Sequence, residues 1–215
     1  MTAASTARAL TDDAPAPLPE ADIFAFADLL EPAEREHFEA VREHLRTEVA
    51  PVVGPYWDRE EFPTALLPGL AALGLGEIEL SGASRLLRGL TYAEVARADV
   101  SLCALVGIHN ELVVDLIDAL GSPEHKKRWL PSLRRFESLG AFALTEPDHG
   151  SDVSGGLVTT ARRDGGQWVL SGTKRWIGAG THADVAVVWA RDVADGQVKG
   201  FLVETDRPGW SATKI

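Results

Sequence analysis

The sequence predicts an α+β protein: an all-α helical N-terminal domain followed by an incomplete, antiparallel, β-barrel-like middle domain. Three observations carry this. Apolar residues keep a helical period from Ile23 to about Phe136. After about Leu139, Gly, Thr, Val and Trp become more frequent and alternation replaces that period. The strand-like segments are about five and short, too few to close a barrel or a sandwich.

Composition sets the outer limits. The chain has 215 residues and 45% hydrophobic content, enough to bury roughly 70% of the surface its unfolded form exposes. Asp plus Glu is 32 against 21 Lys plus Arg, a net charge of −11. Nucleic-acid binders need a basic face, so that class is excluded. Cys103 is the one cysteine, which rules out an intrachain disulfide and a cysteine metal site. No run of 18 apolar residues predicts a membrane span, and no long apolar segment follows Arg8 as a secretory signal would require. The expectation is a soluble cytoplasmic protein with no metal site.

In chain order, residues 1–22 alternate Pro15, Pro17 and Pro19 and predict a disordered or extended tail. Residues 23–138 are assigned to the helical domain and 139–215 to the β-domain. Pro32 with Glu34 and Glu36 marks a helix start; Phe38, Val41, Leu45 and Val49 form its apolar stripe, and Pro51 and Pro55 are expected to end it. Pro63 to Leu73 reads as a short helix closed by Gly74 and Gly76. Residues 81–90 carry no clear pattern, and Thr91 to Arg97 reads as a new helix start. Leu102 to Leu120 is a buried helix ended by Gly121. Ser122, Pro123 and Glu124 supply a cap, a first-turn proline and a carboxylate at the positive helix end. Strands are expected at 141–144, 157–160, 168–170, 185–189 and 201–203, with turns at Asp164-Gly165-Gly166 and Asp195-Gly196.

Most motif-like fragments favour plain readings. Gly172-Thr173-Lys174 lacks the upstream glycine spacing of a phosphate loop. His149, Ser151 and Asp152 are too close in sequence to converge as a hydrolase triad and read as a turn. His109, without a second ligand at useful spacing, reads as a core or site-lining histidine. The segment from Phe142 through Ala143, Leu144, Thr145 and Glu146 to Gly150 and Ser151 differs: it runs from strand into a loop rich in donors, suited to a flat heterocycle or a phosphate or else to an ordinary capped turn. Trp176, beside Ile177 and Gly178, could pack on a ring, but by itself it reads as a core residue.

Together these residues carry a resemblance. Leu144-Thr145-Glu146-Pro147 with Gly150-Ser151-Asp152, then Gly172-Thr173-Lys174-Arg175-Trp176-Ile177, then Ala183-Asp184, then Lys199-Gly200-Phe201 are similar to the acyl-CoA dehydrogenase family. Ala96-Arg97-Ala98-Asp99 and Gly121-Ser122-Pro123-Glu124 resemble its helical domain, nearest the branch of glutaryl-CoA dehydrogenases and short-chain acyl-CoA oxidases. The resemblance implies FAD as cofactor, held by Phe142, Ala143, Leu144, Thr145, Gly150, Ser151, Trp176, Ile177 and Gly178. It implies an acyl-CoA substrate touched by Ser151 and bordered by Cys103, oxidised to the 2,3-enoyl-CoA. It also implies electron-transfer flavoprotein or oxygen as acceptor, and a homo-oligomer in the full-length form.

The departures are as informative. His149 is bulkier than the family's usual small residue. Gly178 stands where a threonine hydroxyl often bonds the flavin. Cys103 stands where glutaryl-CoA dehydrogenases carry an arginine for the distal carboxylate, so glutaryl-CoA is not the expected substrate. Family members continue into a C-terminal helical bundle bearing the catalytic glutamate. No residue of 1–215 matches that base, and Glu146 belongs to the flavin loop. Two readings follow: the N-terminal and middle portion of a flavoenzyme, or a non-catalytic fragment or interaction module. The isolated chain is expected to be inactive and poorly soluble unless a partner completes it.

Overall fold

The computed structural model describes residues 22–215. The expected disordered tail lies outside the described residues apart from Asp22, whose carboxylate accepts the N–H groups of Phe26 and Ala27. Helix α1 (Pro32–His44) starts where Pro32 and the first-turn Glu34 place it and buries Phe38 and Val41. It does not end at the prolines. A five-residue π turn, Leu45–Val49, leads directly into α2 (Ala50–Asp58). Ala50 N–H reaches back to Leu45 O, so Pro51 falls in the first turn of the new segment, where no N–H is needed. Pro55 then removes one further bond from a rod held by the buried Val49 and Val53.

A 3₁₀ turn at Thr64–Leu66 precedes α3 (Leu67–Ala72), and Gly74 at φ 71° closes it. Residues 81–90, unreadable in sequence, hold the start of α4 (Arg85–Ala98): Ser84 caps it by accepting Leu87 N–H at 3.1 Å. Thr91 is therefore inside this helix. Asp99 ends α4 and caps α5 (Val100–His109). A second π turn, Asn110–Val114, joins α5 to α6 (Asp115–Leu120), and α7 (Pro123–Leu133) follows, capped by Ser122 as expected.

The helical run Val100–Leu120 is long and apolar enough to cross a membrane by length and composition alone. Here it is the centre of the fold. One end, through Leu102, Leu105 and Val106, packs with Leu45, Leu70 and Val95. The other end, through Val113, Val114 and Ile117, meets Leu130 and Leu133 of α7 and Val185 and Val187 of the sheet.

The sheet contains β1 (Gly140–Ala143), β2 (Thr160–Asp164), β3 (Gln167–Ser171), β4 (Val185–Asp192) and β5 (Val198–Glu204). It is open and mixed, which corrects the all-antiparallel expectation. The β2–β3 and β4–β5 hairpins are antiparallel, with Gly165 and Gly196 at positive φ in their turns. Strand β4, however, runs parallel to β1 over residues 185–188 and parallel to β2 at 191–192. The long connection 144–159 brings β2 back in the direction of β1, as parallel strands require, and 172–184 turns the chain round after β3 so that β4 runs parallel to both. Both faces of β4 are covered: Val185 and Val187 face the helices, while Ala186 and Val188 pack with Ala141, Ala143 and Ile177.

One expected strand starts later. Leu157, Val158 and Thr159 precede β2, because the N–H groups of Val158 and Thr159 are taken by a side chain instead of a neighbouring strand.

Candidate active site

That side chain is Glu146. Its carboxylate is buried and accepts Val158 N–H at 2.7 Å, Thr159 N–H at 2.8 Å and the Lys174 ammonium at 2.9 Å. Burial raises its pKa, but the hydrogen bonds from Thr159, Val158 and Lys174 outweigh this and bring it down to about 2. Burial pulls the Lys174 ammonium below its ordinary value, against the opposing pull of Glu146.

Lys174 also donates to Leu144 O at 2.9 Å, and Arg175 N–H donates to Thr145 O at 2.9 Å. The loop after β1 and the segment after β3 are thereby clasped side by side. At the far end of the loop, the Arg191 guanidinium donates to Leu157 O and Gly155 O, both at 3.2 Å, and to Gly196 O at 2.7 Å. Within the loop, Glu146 N–H donates to His149 O and the His149 ring meets Asp152 at 2.7 Å, the turn that the sequence indicates. Gly156 makes room for this pair, since a Cβ there would sit 2.0 Å from Asp152 Oδ2.

The structure brings together most of the residues selected from sequence. Leu144 and Thr145 lie against Lys174 and Arg175, and Trp176, Ile177 and Gly178 continue from them. Phe142 meets Trp189 edge-on at 5.9 Å, while Ala143 faces the opposite side of the sheet with Ile177. Trp176 is 67% exposed at φ 61°, a left-handed conformation that costs a non-glycine residue of order 1–3 kcal/mol. The Arg175 guanidinium stacks on its ring at 4.7 Å. Gly178 lies on α5, where a Cβ would come within 2.4 Å of Ile108 Cδ1.

Gly150 and Ser151 are exposed on the loop. Cys103 is in the helical domain. It is half-buried, its thiol donates to Tyr92 O at 3.4 Å, and burial raises its pKa. Sequence reasoning missed Lys174, Arg191 and Ile108. The readable signal for Lys174 was a basic residue beside a strand end with a lone acid, Glu146, in the preceding loop.

An exposed aromatic on left-handed backbone thus stands beside a loop with glycines and hydroxyls, a surface on which a planar ligand can pack. Residues 31–137 match the acyl-CoA dehydrogenase N-terminal domain, and residues 141–215 match the acyl-CoA dehydrogenase middle domain. The mitochondrial isobutyryl-CoA dehydrogenase of Dictyostelium discoideum is 40% identical over 168 residues, 74% of this chain and 40% of the relative. The mitochondrial short-chain specific acyl-CoA dehydrogenase of Mus musculus is 36% identical over 183 residues, 80% of this chain and 44% of the relative. A glutaryl-CoA dehydrogenase from Mycobacterium smegmatis, solved in complex with FADH2, aligns with a TM-score of 0.83 at 37% identity. That alignment covers 89% of this chain and 50% of the other. The chain thus spans half or less of the length of these relatives. With both domain patterns matched in order on the observed helical and sheet layers, the chain belongs to the acyl-CoA dehydrogenase family.

Proposed function

We propose that this chain forms the flavin face and the thioester-side loop of a FAD-dependent enzyme that oxidises an acyl-CoA to its 2,3-enoyl-CoA. The supporting observation is the clasp of Leu144 and Thr145 to Lys174 and Arg175, which unites two segments distant in sequence into one platform ending in Trp176. FAD, when bound, supplies the hydride acceptor. Thr145 and Ser151 would offer it hydroxyl donors, and Gly150, Trp176, Ile177 and Gly178 would border it. In this reading Ser151, which is exposed on the loop, also meets the acyl-CoA. The residues fit the group: Gly178 keeps the segment against α5, and Trp176 offers an exposed ring face.

Glu146 is excluded as the proton acceptor for Cα. Three donors occupy its oxygens and hold it ionised far below neutral pH, a poor base. The family resemblance assigns this proton to a carboxylate, and Glu146 is not that group. Electron-transfer flavoprotein or oxygen then takes the electrons, and the active form is a homo-oligomer.

The test is visible spectroscopy of the purified chain after adding FAD and desalting. A retained flavin band that weakens in W176A is expected. Loss of the band from the unaltered chain overturns this reading.

Substrate choice follows from Cys103, which keeps its proton and offers no cation to a distal carboxylate. In the complete enzyme, kcat/KM for butyryl-CoA is expected to exceed that for glutaryl-CoA by about tenfold or more, the value of one charge-assisted hydrogen bond. A glutaryl-CoA preference measured by steady-state kinetics would sink this.

A further inference from the structure

We infer that His109 is a positioning residue for the candidate flavin site: it holds the first residue of β1, and so sets from the helical domain the loop that leaves the other end of that strand. This rests on the flavin reading given above for the loop, but its core is mechanical.

The ring of His109 is fully buried. Both nitrogens are used by main chain from two different elements. Nε2 lies 2.9 Å from Leu133 O at the end of α7, and Nδ1 lies 3.2 Å from Gly140 N at the start of β1. These partners fix the tautomer. A carbonyl oxygen only accepts, so Nε2 carries the proton; an amide N–H only donates, so Nδ1 carries none.

Between the two anchors the chain is tightly specified. Phe136 sits at φ 51° with its ring 4.9 Å from the His109 ring. Leu139 N–H donates to Asp184 at 2.8 Å on the sheet side. Gly140 is pressed onto the helix, since a Cβ there would lie 2.5 Å from Val113 Cγ1. Strand β1 then runs only four residues before Leu144 and Thr145, whose carbonyls take the clasp. At about 3.3 Å per residue, Gly140 and Thr145 are roughly 16 Å apart along a rigid strand. Releasing Gly140 N–H therefore loosens the end of the strand opposite the platform.

Two near-isosteric variants separate the two arms of the ring. In H109N the amide oxygen takes the place of Nδ1 and accepts Gly140 N–H, while Leu133 O is lost. In H109Q the amide nitrogen takes the place of Nε2 and donates to Leu133 O, while Gly140 N–H is left unpaired. A purely structural histidine predicts that the two variants behave alike.

Amide hydrogen exchange at residues 140–145 of the chain, without flavin, is the primary readout. Exchange there is expected to be about tenfold faster in H109Q than in H109N, one hydrogen bond's worth. FAD retention is expected to fall in H109Q and not in H109N. Equal exchange in the two variants, or equal FAD retention where the unaltered chain holds FAD, overturns the inference. Absence of FAD from the unaltered chain defeats the flavin reading and leaves the exchange comparison standing.

If neither variant folds, the ring ¹⁵N shifts of the unaltered protein decide. An Nε2–H tautomer at pH 7 is expected, and an Nδ1–H tautomer overturns the inference.

Discussion

Replacing Glu146 with alanine is expected to destabilise the protein by about 3–5 kcal/mol, the usual consequence of removing one partner of a buried ion pair. The carboxylate is buried and serves three donors at once, so its loss strands the Lys174 ammonium and the N–H groups of Val158 and Thr159. Each unpaired group adds its own desolvation cost. For a chain of this length such a loss corresponds to a fall in Tm of roughly 10 °C. K174M should cost less, because the two backbone donors still serve the carboxylate. Combining K174M with an apolar residue at 146 should recover part of the E146A loss, since no charge is then left buried alone. Denaturant melts of the three variants check this. A loss below about 1 kcal/mol in E146A would show that the clasp contributes no more than a surface pair.

Acidification is expected to weaken the fold in two steps, the first from His109. Burial lowers its pKa to about 4 from the ordinary 6.5, partly opposed by the bond to Leu133 O. Between those two values the unfolded chain binds a proton that the folded chain refuses. Stability is thus full above pH 6.5 and falls as pH drops towards 4, by about 3 kcal/mol at most. Glu146 acts in a lower window. Its folded pKa of about 2 lies below the ordinary 4.5, so its contribution is present above 4.5 and fades as pH falls towards 2. Urea midpoints at pH 7, 5.5 and 4.5 read the first step. H109Q cannot titrate, and its stability should be flatter over that range. An equal slope in both proteins would assign the acid sensitivity to other groups.

Much of the local chemistry was legible from the sequence, though the Ser84 cap of α4 was not. Ser122 caps α7 because a serine hydroxyl before a first-turn proline can accept an N–H that the helix cannot use. Gly74 closes α3 because only glycine takes a positive φ without strain. The switch from a period near 3.6 to alternation marks helices followed by strands, since each period is the geometry of one buried face. The loop at 142–151 stood out by its donors and glycines; the segment at 176–178 came from the family resemblance, since Trp176 by itself read as core and is exposed.

What the sequence could not carry was long-range. Helix α1 and α2 form one rod through Pro51 because a π turn shifts the register, and no residue type announces a π turn. Strand direction was misjudged because alternation is the same in either direction; the connections decide it by where they return the chain. The Glu146–Lys174 clasp joins residues 28 positions apart, and His109 bridges an α7 carbonyl to a β1 amide 31 positions on. Sequence by itself determined that helices come first and strands follow, and where most of them lie, because these rest on local backbone preference and on one-face burial. Only the tertiary structure decided which loops meet and which buried polar groups hold them together. A desolvated carboxylate or imidazole is stable only where specific partners reach it, and those partners exist only once the chain has folded.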